Sequence, residues 1–364
     1  MGAFLPDDPT RDHQGGEGNR RAPLALVLGC AGEELTPDEQ RLFAAADPLG
    51  FVLFRRNCRS SSQVAALVAA MREAVGRADA PVLIDQEGGR VARLRPPEWC
   101  DYPAPGAIAK LPDAEAEEAA RLMARLIADD LAALGISIDC APVLDVPVRG
   151  ADPVIGDRAW GAEPAHITRL GRAFCDGLLE GAVLPVIKHI PGHGRAMVDS
   201  HVACPRIEAD RATLTQSDFA PFRALSAMPW AMTAHAVLAA VDDAVPVTFS
   251  RPVIDTIIRG EIGFAGVLIS DDISMGALAG SLGERTRRAL DAGCDLVLHC
   301  NGVLAEMVEV VEAARPVSAL AEARFARGEA QRRAARRPFD ARAAAIRFAE
   351  LMAGSAPHRP QASE

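Results

Sequence analysis

The chain has 364 residues, enough for one large domain with a substantial core. Its 49 Asp and Glu residues outnumber 39 Lys and Arg, and the resulting charge of −10 opposes binding to nucleic-acid phosphates or anionic membranes. No apolar run reaches the roughly 18 residues that cross a bilayer, and the stretch 1–23 lacks the apolar centre of a secretory signal, so a cytoplasmic protein is expected.

In chain order, short apolar runs of strand character fall at 25–30, 50–54, 81–85, 136–144, 183–188, 230–235, 266–270 and 294–299. Helical spacing separates them at 114–134, 165–179, 214–225 and 282–292, and after the eighth run come a helix at 303–314 and an Ala/Arg-rich stretch to about 352. Runs such as Ala25-Leu26-Val27-Leu28 are apolar at successive positions, as parallel strands buried on both faces require. The alternation predicts an α/β fold, a single (β/α)8 TIM-type barrel over 23–352 with no separate C-terminal domain. The polar segments 1–22 and 353–364 are expected to be disordered tails. An open doubly wound sheet is the rival, but Gly29-Cys30-Ala31-Gly32 lacks the GxGxxG spacing of its nucleotide-binding turn. Eight cysteines, at 30, 58, 100, 140, 175, 204, 294 and 300, show no CxxC spacing and suit a reducing compartment. No feature of the sequence sets an oligomeric state.

Polar groups cluster after the third, fourth, fifth and seventh runs, the end where a barrel builds its active site. The third run leads into Asp85-Gln86-Glu87-Gly88-Gly89-Arg90-Val91-Ala92-Arg93. A carboxylate that accepts two hydrogen bonds and a guanidinium fork are suited to sugar hydroxyls, the alternative being an ion pair on a surface turn. After the fourth run, Asp145 ends Ala141-Pro142-Val143-Leu144, and Arg158 follows as a second possible clamp or an exposed loop arginine.

The fifth run ends in Lys188-His189-Ile190-Pro191-Gly192-His193-Gly194-Arg195 and continues to Asp199-Ser200-His201. Asp199 and His201 meet if the loop turns between them, and a carboxylate holding an imidazole sets its tautomer for acid–base work. The alternatives are a metal site or histidines bonded to backbone carbonyls. The seventh run reaches Ser270-Asp271-Asp272, where adjacent carboxylates call for a compensating cation such as Lys188 or Arg158. Because side chains alternate, Asp271 is assigned to chemistry and Asp272 to capping the next helix.

Together with Gly50-Phe51-Val52-Leu53-Phe54-Arg55-Arg56-Asn57 and Met232-Thr233-Ala234-His235, these segments resemble glycoside hydrolase family 3, in particular its single-domain, NagZ-type bacterial β-N-acetylglucosaminidases (β-hexosaminidases). The resemblance runs from about residue 26 to 310. It implies a retaining exo-hydrolase in which Asp271 is the nucleophile, His201 the general acid/base and Asp199 its orienting partner. It also implies that Asp85, Arg93, Arg158, Lys188 and His189 bind the sugar, with neither cofactor nor metal. Ile190 stands where the family usually has an aromatic residue. The implied substrate is a muropeptide, N-acetylglucosaminyl-1,6-anhydro-N-acetylmuramic acid with or without peptide, cleaved during peptidoglycan recycling. Three other readings stay open: a phosphorylase using the same site; a metal-dependent barrel hydrolase using His189, His193, His201, His235 and Asp271; and a sugar-binding protein without turnover.

Overall fold

The computed structural model describes residues 22–354. Of the expected tails, 1–21 and 355–364 lie outside the described residues. Eight parallel strands close into a barrel: β1 Leu24–Leu28, β2 Pro48–Leu53, β3 Val82–Ile84, β4 Ile138–Asp139, β5 Leu184–Ile190, β6 Trp230–Thr233, β7 Val267–Asp272 and β8 Leu296–His299. Each strand pairs with its neighbours in sequence, and β1 closes the ring on β8 with Leu26 opposite Val297. Side chains such as Leu26, Phe51, Ile84 and Leu268 are fully buried, which leaves the strand ends as the places where polar chemistry meets solvent.

Helices follow the strands because their apolar residues fall on one face. In Pro164–Glu180 the buried positions Ile167, Leu170, Phe174 and Leu178 recur at three- and four-residue intervals. That helix packs so closely on Asp113–Ala133 that a Cβ at Gly177 would lie 2.5 Å from the Arg121 carbonyl oxygen. The helix Ala319–Ala335, last but one among the described residues, packs on the barrel rather than forming a unit of its own: Phe325 meets Trp230 edge-on at 6.1 Å, and Arg324 joins Arg259 on the buried Asp295.

Two elements differ from their sequence expectation. The fourth strand, expected over 136–144, is regular only at Ile138–Asp139. Pro142 has no N–H to donate, so the pairing continues irregularly, with Leu144 N donating to Lys188 O and Val186 N to Ala141 O. The helix expected over 214–225 is two, Arg211–Gln216 and Phe219–Ala224. In a continuous helix Pro221 would face the Ser217 carbonyl without a donor, and the chain breaks at Ser217.

Gly177→Ala should therefore lower stability by about 1–3 kcal/mol through overpacking between the two long helices, read as a lower urea midpoint at unchanged slope. An unchanged midpoint would show that the helices yield freely at this contact.

Candidate active site

All eight side chains singled out from the sequence line one cavity of about 300 Å³ at the C-terminal mouth of the barrel, within the range of small-ligand sites. Asp85 follows β3 directly. Beyond it Gln86–Gly88 and Val91–Ala92 form a hairpin, whose turn takes Gly88 and Gly89 through positive φ values of 94° and 58°. The buried Gln86 amide fixes the far end: its Oε1 accepts from the backbone N–H of Arg93 and Leu94, and its Nε2 donates to Leu94 O. Arg93 is thereby held beside Asp85, to which its Nη2 donates at 2.8 Å, while its guanidinium lies over the Phe54 ring at 4.6 Å.

Lys188, from β5, is buried, and its Nζ donates to Asp85 at 2.9 Å and to Glu87 at 2.6 Å. Glu87 in turn receives a fork from Arg158, with Nε and Nη2 each 2.8 Å from a carboxylate oxygen. Arg158 is therefore buried and paired with Glu87, not an exposed loop arginine. Burial alone would raise both acids. Lys188 and Arg93 outweigh it for Asp85, which is held well below the usual carboxylate range, and Arg158 with Lys188 holds Glu87 at about 2. Three cations and two carboxylates thus stay ionised together, leaving one net positive charge.

His189 is fixed from behind. Asp145, buried at the end of the fourth run, accepts from His189 Nδ1 at 2.7 Å and from the backbone N–H of His189 and His193. The Nε2 of His189 points toward Asp271, 3.9 Å from Oδ2. Asp271 is half-buried, and desolvation raises its pKa. The nearby His235 and His189, then the Asp272 N–H at 2.8 Å and finally Lys188, overcome this and hold its carboxyl below the ordinary value. The compensation expected from Lys188 or Arg158 thus comes mainly from histidines, because the two cations are bound to Asp85 and Glu87.

The assignment of Asp272 as cap of the next helix is corrected by the structure. Asp272 closes a turn, accepting from Ser274 N and Oγ and from Cys300 N, and Ser270 Oγ accepts from Leu298 N. The helix itself begins later, at Leu282, capped by Ser281 with Glu284.

Asp199 and His201 do meet. Asp199 Oδ1 accepts from both the backbone N–H and the Nδ1 of His201, at 2.9 and 2.7 Å. What burial Asp199 has raises its pKa, but these bonds bring it below the ordinary value. With Nδ1–H engaged, Nε2 is the working nitrogen of His201, whose side chain is 65% exposed, unlike the buried Arg158. Ile190 is buried within β5 and does not line the cavity.

Sequence reasoning missed the roles of Glu87, Asp145 and His193. His193 is buried on the cavity wall with neither ring nitrogen hydrogen-bonded, and burial lowers its pKa to about 4, so it is neutral. Among the described residues no group of three or more His, Cys, Asp or Glu side chains is arranged to hold a metal ion. Of the five groups in the metal reading, His235 has both ring nitrogens engaged, by Thr248 Oγ1 and the Asp272 carbonyl.

Residues 36–334 match the glycosyl hydrolase family 3 N terminal domain. A β-hexosaminidase of Alkalilimnicola ehrlichii is 40% identical over 283 residues, spanning 76% of this chain and 80% of the relative. The crystal structure of native NagZ from Neisseria gonorrhoeae superposes with a TM-score of 0.81 at 32% identity, covering 91% of this chain and 98% of that one. The same Neisseria protein in complex with N-trifluoroacetyl-D-glucosamine gives 0.80 at 31% identity, with 91% and 99% covered.

Asp139, on β4, supplies a test of the electrostatics. It is buried, its Oδ1 accepts from Gln86 N, and desolvation raises its pKa to about 8. A raised acid contributes stability that is fully present below about pH 4 and is lost as pH rises through 8. Asp139→Asn keeps the acceptor and removes the titration, so its melting temperature relative to wild type should climb between pH 4 and 8. A difference that stays flat with pH would contradict a protonated Asp139.

Proposed function

The chain belongs to glycosyl hydrolase family 3 and is a β-N-acetylhexosaminidase, and from that premise we propose a two-step, retaining removal of terminal N-acetylglucosamine with Asp271 and His201 as the reacting groups. The observation that carries the reading is a half-buried carboxylate whose pKa is held below the ordinary value, on the wall of a small cavity whose rim bears an Asp-held imidazole.

In the first step an Asp271 oxygen forms a bond to the anomeric carbon as the glycosidic C–O bond breaks. His201 Nε2–H gives its proton to the departing oxygen. In the second step the neutral imidazole takes a proton from water, the water oxygen bonds to the anomeric carbon, and the Asp271 carboxylate leaves. Asp85 accepts hydrogen bonds from ring hydroxyls, while Arg93, Lys188, Arg158 and His189 supply donors. Contacts that strengthen as the ring flattens lower the barrier rather than merely binding the substrate. Asp145 and Glu87 hold His189 and the two cations on aim.

The acetamido preference is supported by the Neisseria neighbour in complex with N-trifluoroacetyl-D-glucosamine. We take the substrate to be N-acetylglucosaminyl-1,6-anhydro-N-acetylmuramic acid, with or without peptide, released during cell-wall recycling. A cytoplasmic setting suits the eight cysteines, none of them disulfide-bonded. No described helix is long and apolar enough to cross a membrane.

The test is release of p-nitrophenol from the β-N-acetylglucosaminide and the β-glucoside, with EDTA present and phosphate varied. Wild type should turn over the acetamido sugar, indifferent to EDTA and phosphate. Asp271→Asn should lose at least about a thousandfold in kcat, and His201→Ala about 10²–10⁴-fold on substrates with poor leaving groups. Phosphate-dependent formation of a sugar 1-phosphate would identify a phosphorylase, loss in EDTA a metal enzyme, and binding without turnover by folded wild type a sugar-binding protein.

A further inference from the structure

The nucleophile and the acid/base group lie on different loops, and these loops meet backbone to backbone. Residues 199–203 form one tight turn, with the N–H of Val202 and of Ala203 both donating to Asp199 O at 3.0 and 3.1 Å. Ser200 at its centre is buried, while His201 and Val202 project outward. The turn rests on the segment after β7: Ala277 N donates to Ser200 O at 3.0 Å. Next to that bond, a Cβ on Gly276 would lie 2.6 Å from His201 O and 3.0 Å from Val202 O. Real Cβ atoms do not approach a backbone oxygen at the shorter distance, so a side chain there must move one loop.

The loop after β7 has the stronger anchorage. Asp272 ties it to Ser274 and to the backbone of Cys300, and Arg285 Nη1 donates to the carbonyls of Ile273 and Met275 at 2.8 and 3.2 Å. Among the described residues the turn bearing His201 has no comparable side-chain hold on the barrel, and the imidazole's own partner, Asp199, belongs to the same turn. A side chain at 276 therefore displaces His201 and spares Asp271.

Resting on the reading of Asp271 as nucleophile and His201 as acid/base, we propose that Gly276 is a positioning residue: its missing side chain makes the loop after β7 the seat of the acid/base turn and sets His201 against the nucleophile. The requirement is one of space. Misplacing a catalytic group by about 1 Å costs on the order of a hundredfold, so a seat that holds the turn controls every step in which the imidazole moves a proton.

The experiment compares kcat/KM of Gly276→Ala for two β-N-acetylglucosaminides. The 2,4-dinitrophenyl glycoside leaves without a proton, and the methyl glycoside needs one. Ala277→Pro, which deletes the N–H that holds Ser200 and adds nothing at 276, is the second variant, and His201→Ala is the reference. In either variant the methyl glycoside should lose at least about tenfold while the dinitrophenyl glycoside stays within about twofold, the selectivity of an unseated acid. Retained dinitrophenyl turnover also reports an intact fold and nucleophile. Equal losses on both glycosides in both variants, or no loss on either, would overturn the role of Gly276. If His201→Ala itself shows no dependence on the leaving group, the acid/base assignment falls and the inference with it.

Discussion

The ammonium of Lys188 is buried at the end of β5, between the carboxylates of Asp85 and Glu87. An unpaired charge at that depth would cost several kcal/mol, so Lys188 compels two acids from the neighbouring hairpin, and these recruit Arg93 and Arg158. The network joins β3, β5 and the loop after β4 into one rigid surface. It gives the wall proposed to face the sugar fixed donors and acceptors before any ligand arrives, which is what preorganised recognition of a polyhydroxylated ring requires.

Around this network the site divides into a fixed part and an accessible part. His189, His235 and His193 are buried and Asp271 is half-buried; Asp145 holds His189 and the Asp272 carbonyl holds His235, so the charge state of the proposed nucleophile is set by the barrel. The Asp199–His201 pair stands near solvent, where a proton can be exchanged with a leaving group or a water. The proposed retaining mechanism makes both demands: an ionised nucleophile and a base that water can reach. In the proposed mechanism the separation suits an imidazole on a loop, since a further carboxylate would add negative charge to a cavity already lined by Asp85, Asp199, Asp271 and Asp272.

How much of this was legible in the sequence follows from where each signal resides. Strands buried on both faces read as continuous apolar runs, so the eight-strand barrel was visible. Asp85, Lys188 and Asp271 stand at strand ends, where a charged residue after an apolar run marks the mouth. Glu87 and Asp145 were opaque because their meaning lies in partners 71 and 44 residues away, with no local mark beyond a carboxylate beside an apolar segment. The shortened fourth strand and the broken helix before β6 each contain a proline whose missing N–H outweighs the apolar pattern. The misassigned cap at Asp272 arose because a nine-residue stretch separates β7 from the helix that follows, from Ile273 to Ser281, and Asp272 spends its carboxylate folding it.

The account turns on Asp271 forming a covalent bond to the anomeric carbon. The direct measurement is incubation with a 5-fluorinated β-N-acetylglucosaminyl fluoride, whose intermediate hydrolyses slowly, followed by peptide mass spectrometry. The account predicts a single adduct with the mass of the fluorosugar on the peptide containing Asp271, absent in Asp271→Asn and discharged slowly as activity returns. Turnover of the fluoride with no adduct, or an adduct on another residue, would contradict it.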